Sequence, residues 1–111
     1  MPRYTVFMYH PEDRRTTDEA QLAAELAEHD TYAQEMVAEG VMTFGSPLAA
    51  HTATTSIRAG GLVDGPYLEA KETVVGFYVL DVPDLDAAIA VARRNPILHQ
   101  GGGVEVRPMT A

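Results

Sequence analysis

Two helix-forming segments divide four strand-like runs, and this order constrains the fold more than any other feature of the chain. Residues 3–9 (Arg-Tyr-Thr-Val-Phe-Met-Tyr) are rich in aromatic and β-branched types and read as a strand closed by His10-Pro11-Glu12-Asp13. Thr16 to Glu19 has the Thr-x-x-Glu form of a capping box and opens a helix to about Glu39, with Gly40 as its C′ residue. Residues 41–45 form a second strand, closed by Gly45-Ser46-Pro47. Thr54 to Arg58 and Leu62-Val63 flank the Gly60-Gly61 turn as a polar hairpin, and Asp64-Gly65-Pro66 makes another turn. Val74 to Leu80 is the strongest strand. Asp81-Val82-Pro83-Asp84 leads into a second helix through about Arg94, stopped by Asn95-Pro96. Gly101 to Gly103 connects it to a last strand, Val104 to Arg107, ending at Pro108. The order predicts an α+β, ferredoxin-like βαββαβ fold with a hairpin inserted between its second and third strands.

Size and charge narrow the function classes. The 111 residues suffice for one core, so residues 1–111 read as a single domain. The formal net charge of −8 disfavours nucleic acid and anionic membranes, and the eight Lys and Arg are scattered, with pairs only at Arg14-Arg15 and Arg93-Arg94. The absence of Cys excludes disulfides and thiolate metal sites and fits a reducing compartment. No apolar run reaches the roughly 18 to 20 residues that span a bilayer. The start at Met1-Pro2-Arg3-Tyr4 carries no signal-peptide pattern, and a cytoplasmic location is expected.

Alternation assigns sheet faces. Val75, Phe77 and Val79 form the more apolar set of their strand and are expected to face the helices, with Gly76 and Tyr78 on the open side. In the last strand Val104 and Val106 face the helices, leaving Glu105 and Arg107 open. Both sets of the first strand are largely apolar: Tyr4, Val6 and Met8 against Thr5, Phe7 and Tyr9. An open face that keeps aromatic residues wants a cover, and a homodimer through that face is the expected arrangement.

Chemistry concentrates on the first helix. Leu22, Leu26, Ala33 and Met36 form an apolar stripe, and His29 falls inside it, three after Leu26 and four before Ala33. Glu25 and Tyr32, at i−4 and i+3, lie along the polar edge within its reach. A partly buried imidazole there suits general acid–base work, and equally a structural histidine bonded to a carbonyl or to Glu25. The Asp64-Gly65-Pro66-Tyr67 turn and the charges at Glu69, Lys71 and Glu72 read either as a solvated loop or as a rim supplying Asp64 as an acid and Lys71 as an anion contact. His10, His51 and His99 lack metal-ligand spacing, no H-E-x-x-H pattern exists, and Gly101 to Gly103 lacks the helix and Lys of a phosphate loop. No metal and no cofactor is expected.

Asp64-Gly65-Pro66-Tyr67, followed by Glu69, Lys71-Glu72 and Gly76-Phe77-Tyr78, resembles the D-G-P-F signature of the DGPF subgroup of YCII-related proteins, with Tyr67 in place of Phe. Gly103-Val104-Glu105-Val106-Arg107-Pro108 matches the G-x-V-E-V-R-P ending of that subgroup. The resemblance implies a dimeric α+β barrel and a pocket between helix and sheet. It further implies a helix-borne His paired with an Asp; His29, eleven residues before Gly40, matches that His. Where relatives carry Asp-Pro after the second helix this chain has Asn95-Pro96, leaving Asp64 or Glu25 as the acid.

Two functions follow. One is a cofactor-independent lyase or isomerase: His29 moves a proton, Asp64 or Glu25 orients it, and Lys71 or Arg107 holds an anionic or phenolic substrate, with Glu25, Tyr67 and Tyr78 completing the substrate contacts. A relative that removes chloride from a chlorinated hydroquinone fits this class. The other is a ligand-binding or regulatory module without catalysis, since DGPF-type relatives are linked with alternative sigma factors.

Overall fold

The computed structural model describes residues 2–11, 17–67 and 71–110. Strand β1 spans Arg3–Pro11, helix α1 Glu19–Ala38 and strand β2 Met42–Pro47. A short hairpin of β3 (Thr55–Arg58) and β4 (Gly61–Asp64) follows. Strand β5 (Glu72–Asp81), helix α2 (Leu85–Ala92), a 3-10 turn at Pro96–His99 and strand β6 (Gly103–Pro108) complete the order. The main sheet runs β2-β5-β1-β6 and is antiparallel at every pairing, with β3 and β4 in a separate two-stranded sheet. This is the ferredoxin-like α+β arrangement with the hairpin inserted where the sequence places it. The extents, 40 × 40 × 18 Å, are those of a slab two layers thick.

The helix ends have identifiable causes. Thr16, the expected cap of α1, lies outside the described residues, as does Glu69 of the loop after the second turn. Asp18 caps the helix instead, its Oδ1 accepting from the Gln21 amide at 3.0 Å. Gly40, at φ +73°, follows the C-cap Glu39 in the left-handed conformation that ends many helices. Asp84 caps α2 by accepting from the Ala87 amide at 2.8 Å. Helix α2 closes at Ala92, short of Arg94, and Arg94 instead reaches back to α1, 2.7 Å from Glu39 and 3.2 Å from Glu35. Strand β2 runs through Gly45-Ser46-Pro47, because Gly45 to Pro47 still pair with β5.

The core lies between one sheet face and the two helices. It contains Tyr4 and Val6 of β1, Tyr78 and Leu80 of β5, Tyr32 and Met36 of α1, and Ala88, Val91 and Ala92 of α2. This reverses the expected faces of β5. Gly76, Tyr78 and Leu80 point to the helices, and Val75, Phe77 and Val79 point to the open side. The cause is the registration with β1, in which Tyr78 sits opposite Val6 and Leu80 opposite Tyr4, both core residues. The tyrosine hydroxyl that made Tyr78 look like a surface residue has buried partners. Strand β6 follows expectation, with Val104 and Val106 against the core and Glu105 and Arg107 exposed. Tyr32, expected along the polar edge of α1, is 5% exposed and belongs to the core, whereas Leu26 of the apolar stripe is 53% exposed. The helix therefore packs through its C-terminal half and holds its N-terminal half above the sheet.

Candidate active site

The raised half of α1 makes a cavity of about 270 Å³. Leu22, Leu26, His29 and Ala33 form its helical wall, Met8, Gly76 and Tyr78 its sheet floor, and Gly45 to Leu48 one side. Asn95, Ile97 and Gln100, around the 3-10 turn, close the other side. The lining is largely apolar, with a few polar groups converging at one end, the composition expected of a small-molecule site. Glu25 and Asp30 add negative charge, and no Lys or Arg lines the cavity among the described residues.

His29 is half-buried, and its Nε2 lies 2.8 Å from Gln100 Oε1. Gln100 also accepts on its main chain: His10 Nε2 is 2.9 Å from its carbonyl oxygen. Gly102 permits this approach of the 3-10 turn to β1, since a Cβ there would meet Ile97 Cγ1 at 2.6 Å and would lie even closer to the Tyr9 carbonyl oxygen. Beneath His29, a chain of hydrogen bonds crosses the core. Asn95 Nδ2 donates to Tyr78 Oη at 3.2 Å, Tyr78 and Tyr32 hydroxyls are 2.9 Å apart, and Tyr32 donates to the Val91 carbonyl at 2.8 Å. Since the Tyr32 hydrogen is committed to Val91, Tyr78 donates to Tyr32. Asn95 is held in turn by accepting from the Ile97 amide at 2.9 Å. Burial pushes the Tyr32 phenol well above the usual tyrosine range, and the neighbouring Tyr78 raises it further. Burial likewise raises Tyr78, partly offset by its hydrogen bonds to Tyr32 and Asn95. Both are neutral hydroxyls at physiological pH.

Of the residues singled out by sequence, Glu25, His29 and Tyr78 share this cavity, whereas Asp64, Tyr67, Lys71 and Arg107 do not line it. Asp64 ends β4, and its turn folds back on the hairpin: Gly65 N donates to Thr54 O at 2.7 Å, and Ser56 Oγ to Gly65 O at 2.5 Å. Tyr67 lies under the Arg58 guanidinium, 4.0 Å from ring centroid to Cζ. Lys71 is exposed, and Arg107 pairs with Glu105 at 2.8 Å on the far face of the sheet. Glu25 bonds to Gln21 Nε2 at 3.3 Å through its side chain. Gln100 is the site residue that sequence reasoning passed over, and Asn95 entered it only as the position where relatives carry an Asp. The stop signal at Asn95-Pro96 marked the segment, but nothing in its periodicity marked a partner for His29. Among the described residues no cluster of three or more His, Cys, Asp or Glu is placed to hold a metal ion.

The model of the YCII-related domain matches residues 3–110. The chain belongs to the YCII-related domain family. An uncharacterised protein of Rhizobium meliloti (strain 1021) is 38% identical to this YCII-related domain over 77 residues, 66% of this chain and 56% of that one. The chain thus spans about half the length of that curated relative. Among solved structures, a 5-chloro-2-hydroxyhydroquinone dehydrochlorinase from Burkholderia phenoliruptrix AC1100, in complex with 2,5-dihydroxybenzoquinone, is similar at a TM-score of 0.47 and 13% identity, covering 91% of this YCII-related domain and 90% of that chain. No helix among the described residues is long and apolar enough to cross a membrane.

Proposed function

We propose that this YCII-related domain is a small-molecule enzyme of lyase or isomerase type in which His29 transfers a proton at a substrate held between α1 and the sheet. The observation that carries the reading is the position of His29: its ring is anchored through Nε2 and lines a largely apolar cavity. An imidazole so held suits proton abstraction from a weakly acidic C–H or O–H group. Tyr78 on the floor and Asn95 at the closing side supply polar groups, and Glu25, one turn before His29, and Asp30, the residue after it, are the acids that line the cavity. With Glu25 and Asp30 beside the cavity and Lys71 and Arg107 away from it, an uncharged substrate fits better than the anionic one that Lys71 or Arg107 was expected to hold. Asp64 and Tyr67 take no part in the single-chain cavity.

The matching turn and ending at Asp64 to Tyr67 and Gly103 to Pro108 support placement in the DGPF subgroup, and a cytoplasmic setting accords with the chain's composition. A homodimer is supported by the open sheet face, where Phe44 and Phe77 rings stand 5.8 Å apart and Phe7 pairs opposite Phe77. Back-to-back association of two such faces makes the dimeric α+β barrel.

One observation favours the second reading, a ligand-binding or regulatory module of the kind linked with alternative sigma factors. The groups beside His29 and Tyr78 are amides, Gln100 and Asn95, and an amide does not stabilise an imidazolium as a carboxylate does. Turnover of hydroxylated and chlorinated aromatics separates the two. The enzyme reading expects product from the parent, none from His29→Ala or His29→Gln, and circular dichroism unchanged in both. Retained turnover in a folded His29→Ala variant ends that reading. Ligand binding by the parent without any turnover supports the module.

A further inference from the structure

Gln100 lies among three groups whose chemistry fixes its orientation. Its Oε1 is 2.8 Å from His29 Nε2, and its Nε2 is 3.5 Å from both the Glu25 carbonyl oxygen and Glu28 Oε1. A side-chain amide donates through nitrogen and accepts through oxygen. The Glu25 carbonyl and the Glu28 carboxylate accept and do not donate, so the NH2 end belongs to them. The oxygen is then turned to His29, where it accepts. His29 Nε2 must carry a hydrogen, and in the neutral ring the lone pair lies on Nδ1. Among the described residues Nδ1 makes no hydrogen bond.

We infer that Gln100 is a positioning residue that holds His29 as the Nε2–H tautomer and thereby makes Nδ1 the atom that exchanges a proton with the substrate. The second half rests on the acid–base reading of His29; the first does not. In the forward step a substrate X–H bond breaks, its electron pair stays on the substrate, and the proton goes to Nδ1. The resulting imidazolium keeps its Nε2–H on Gln100. The same proton then leaves Nδ1 for a departing group or another substrate atom, and the ring returns to its starting tautomer.

The imidazole nitrogens of the full chain report this directly by long-range 1H–15N NMR at a pH where His29 is neutral. The parent is expected to show a protonated Nε2 and an unprotonated Nδ1. Gln100→Met fills the same volume without an amide, and the pattern should shift to a mixture of tautomers. The Gln100→Glu/Glu28→Gln double variant restores an acceptor for His29 and a donor beside it, and should restore the parental pattern. If Gln100→Met fails to fold, Gln100→Ala serves, checked by dispersion of the amide spectrum. A parental ring protonated at Nδ1, or a pattern indifferent to Gln100→Met, overturns the inference. With a substrate in hand, Gln100→Met should lower kcat about 100-fold with KM nearly unchanged, the cost of a misplaced base. The expected tautomer together with full turnover in His29→Gln leaves Gln100 as the anchor and removes the catalytic reading. Lost turnover in His29→Gln with a tautomer indifferent to Gln100 does the reverse.

Discussion

Tyr78 on the central strand β5 donates its hydroxyl hydrogen to Tyr32 on helix α1, the two oxygens 2.9 Å apart and the rings edge to face at 84°. The pair is 4% and 5% exposed, so neither hydroxyl has water as an alternative partner. Tyr32 passes its own hydrogen to the Val91 carbonyl of α2. One donor chain therefore joins the sheet to both helices at the base of the cavity. Tyr32→Phe removes two of its links: the buried Tyr78 hydroxyl keeps the Asn95 amide as donor but loses the acceptor for its own hydrogen, and the Val91 carbonyl keeps only the Arg94 amide. It should cost about 2 kcal/mol in urea-induced unfolding. Leu98→Ala, on the 45% exposed face of the 3-10 turn, should change the same midpoint far less.

The same pair predicts a response to alkali. Both phenols are raised above the ordinary value of 10.0, Tyr32 and Tyr78 alike chiefly by burial. In the unfolded chain they lose their protons at that ordinary value, while the folded protein still holds them. Above pH 10 the unfolded state therefore binds fewer protons, and stability falls as pH rises. The contribution is fully present below pH 10 and disappears as pH climbs through the raised values. The slope is about 1.4 kcal/mol per pH unit for each tyrosine that stays protonated in the fold. Chemical denaturation between pH 8 and 11 should show this decline, and it should be shallower in Tyr78→Phe. An equal slope in that variant would show that Tyr78 titrates alike in both states.

Open-face aromatics make a prediction about association. Val75, Phe77 and Val79 point away from the helices, and Phe44 lies against Phe77. Replacing Phe77 by Lys sets a charge into the middle of that face without entering the core. Sedimentation velocity should then show a dimer for the parent and a monomer for the variant, with the helical signal retained. A parent that already sediments as a monomer, or a Phe77→Lys variant that remains a dimer, excludes this face as the contact.

The element order was legible because Gly, Pro and Asn punctuate it: Gly40 and Asn95-Pro96 mark both helix ends, and the strands between alternate clearly. Topology followed from order. Which side of β5 faces the helices did not, because alternation fixes that Val75, Phe77 and Val79 share a face but not which face that is. The more apolar set was assigned inward, and here it lies on the open side. On β6 the charges of Glu105 and Arg107 removed the ambiguity. His29 was legible as a half-buried helical residue. Gln100 was not, since 71 residues separate the two and its setting depends on a tight passage past β1. Asp64 stood out by motif, yet the motif turns back on the hairpin.

That tight passage gives the last test. Gly102 lies where a Cβ would press on Ile97 and on the Tyr9 carbonyl oxygen, one residue beyond Gly101 at φ +93°. Ile97 is 3% exposed, and its amide already bonds to Asn95. The side chain has little room to yield, so Gly102→Ala must move the 3-10 turn away from β1. Stability should fall by about 1–3 kcal/mol, as for other overpacked positions. The displacement also withdraws Gln100 from His10 and His29. Gly102→Ala should therefore reproduce the mixed His29 tautomer of Gln100→Met while keeping the Gln100 side chain. Gly103→Ala, where a Cβ meets nothing within 4 Å, should leave both stability and tautomer close to the parent. A Gly102→Ala variant with an unaltered His29 ring would mean that the anchor does not depend on this passage.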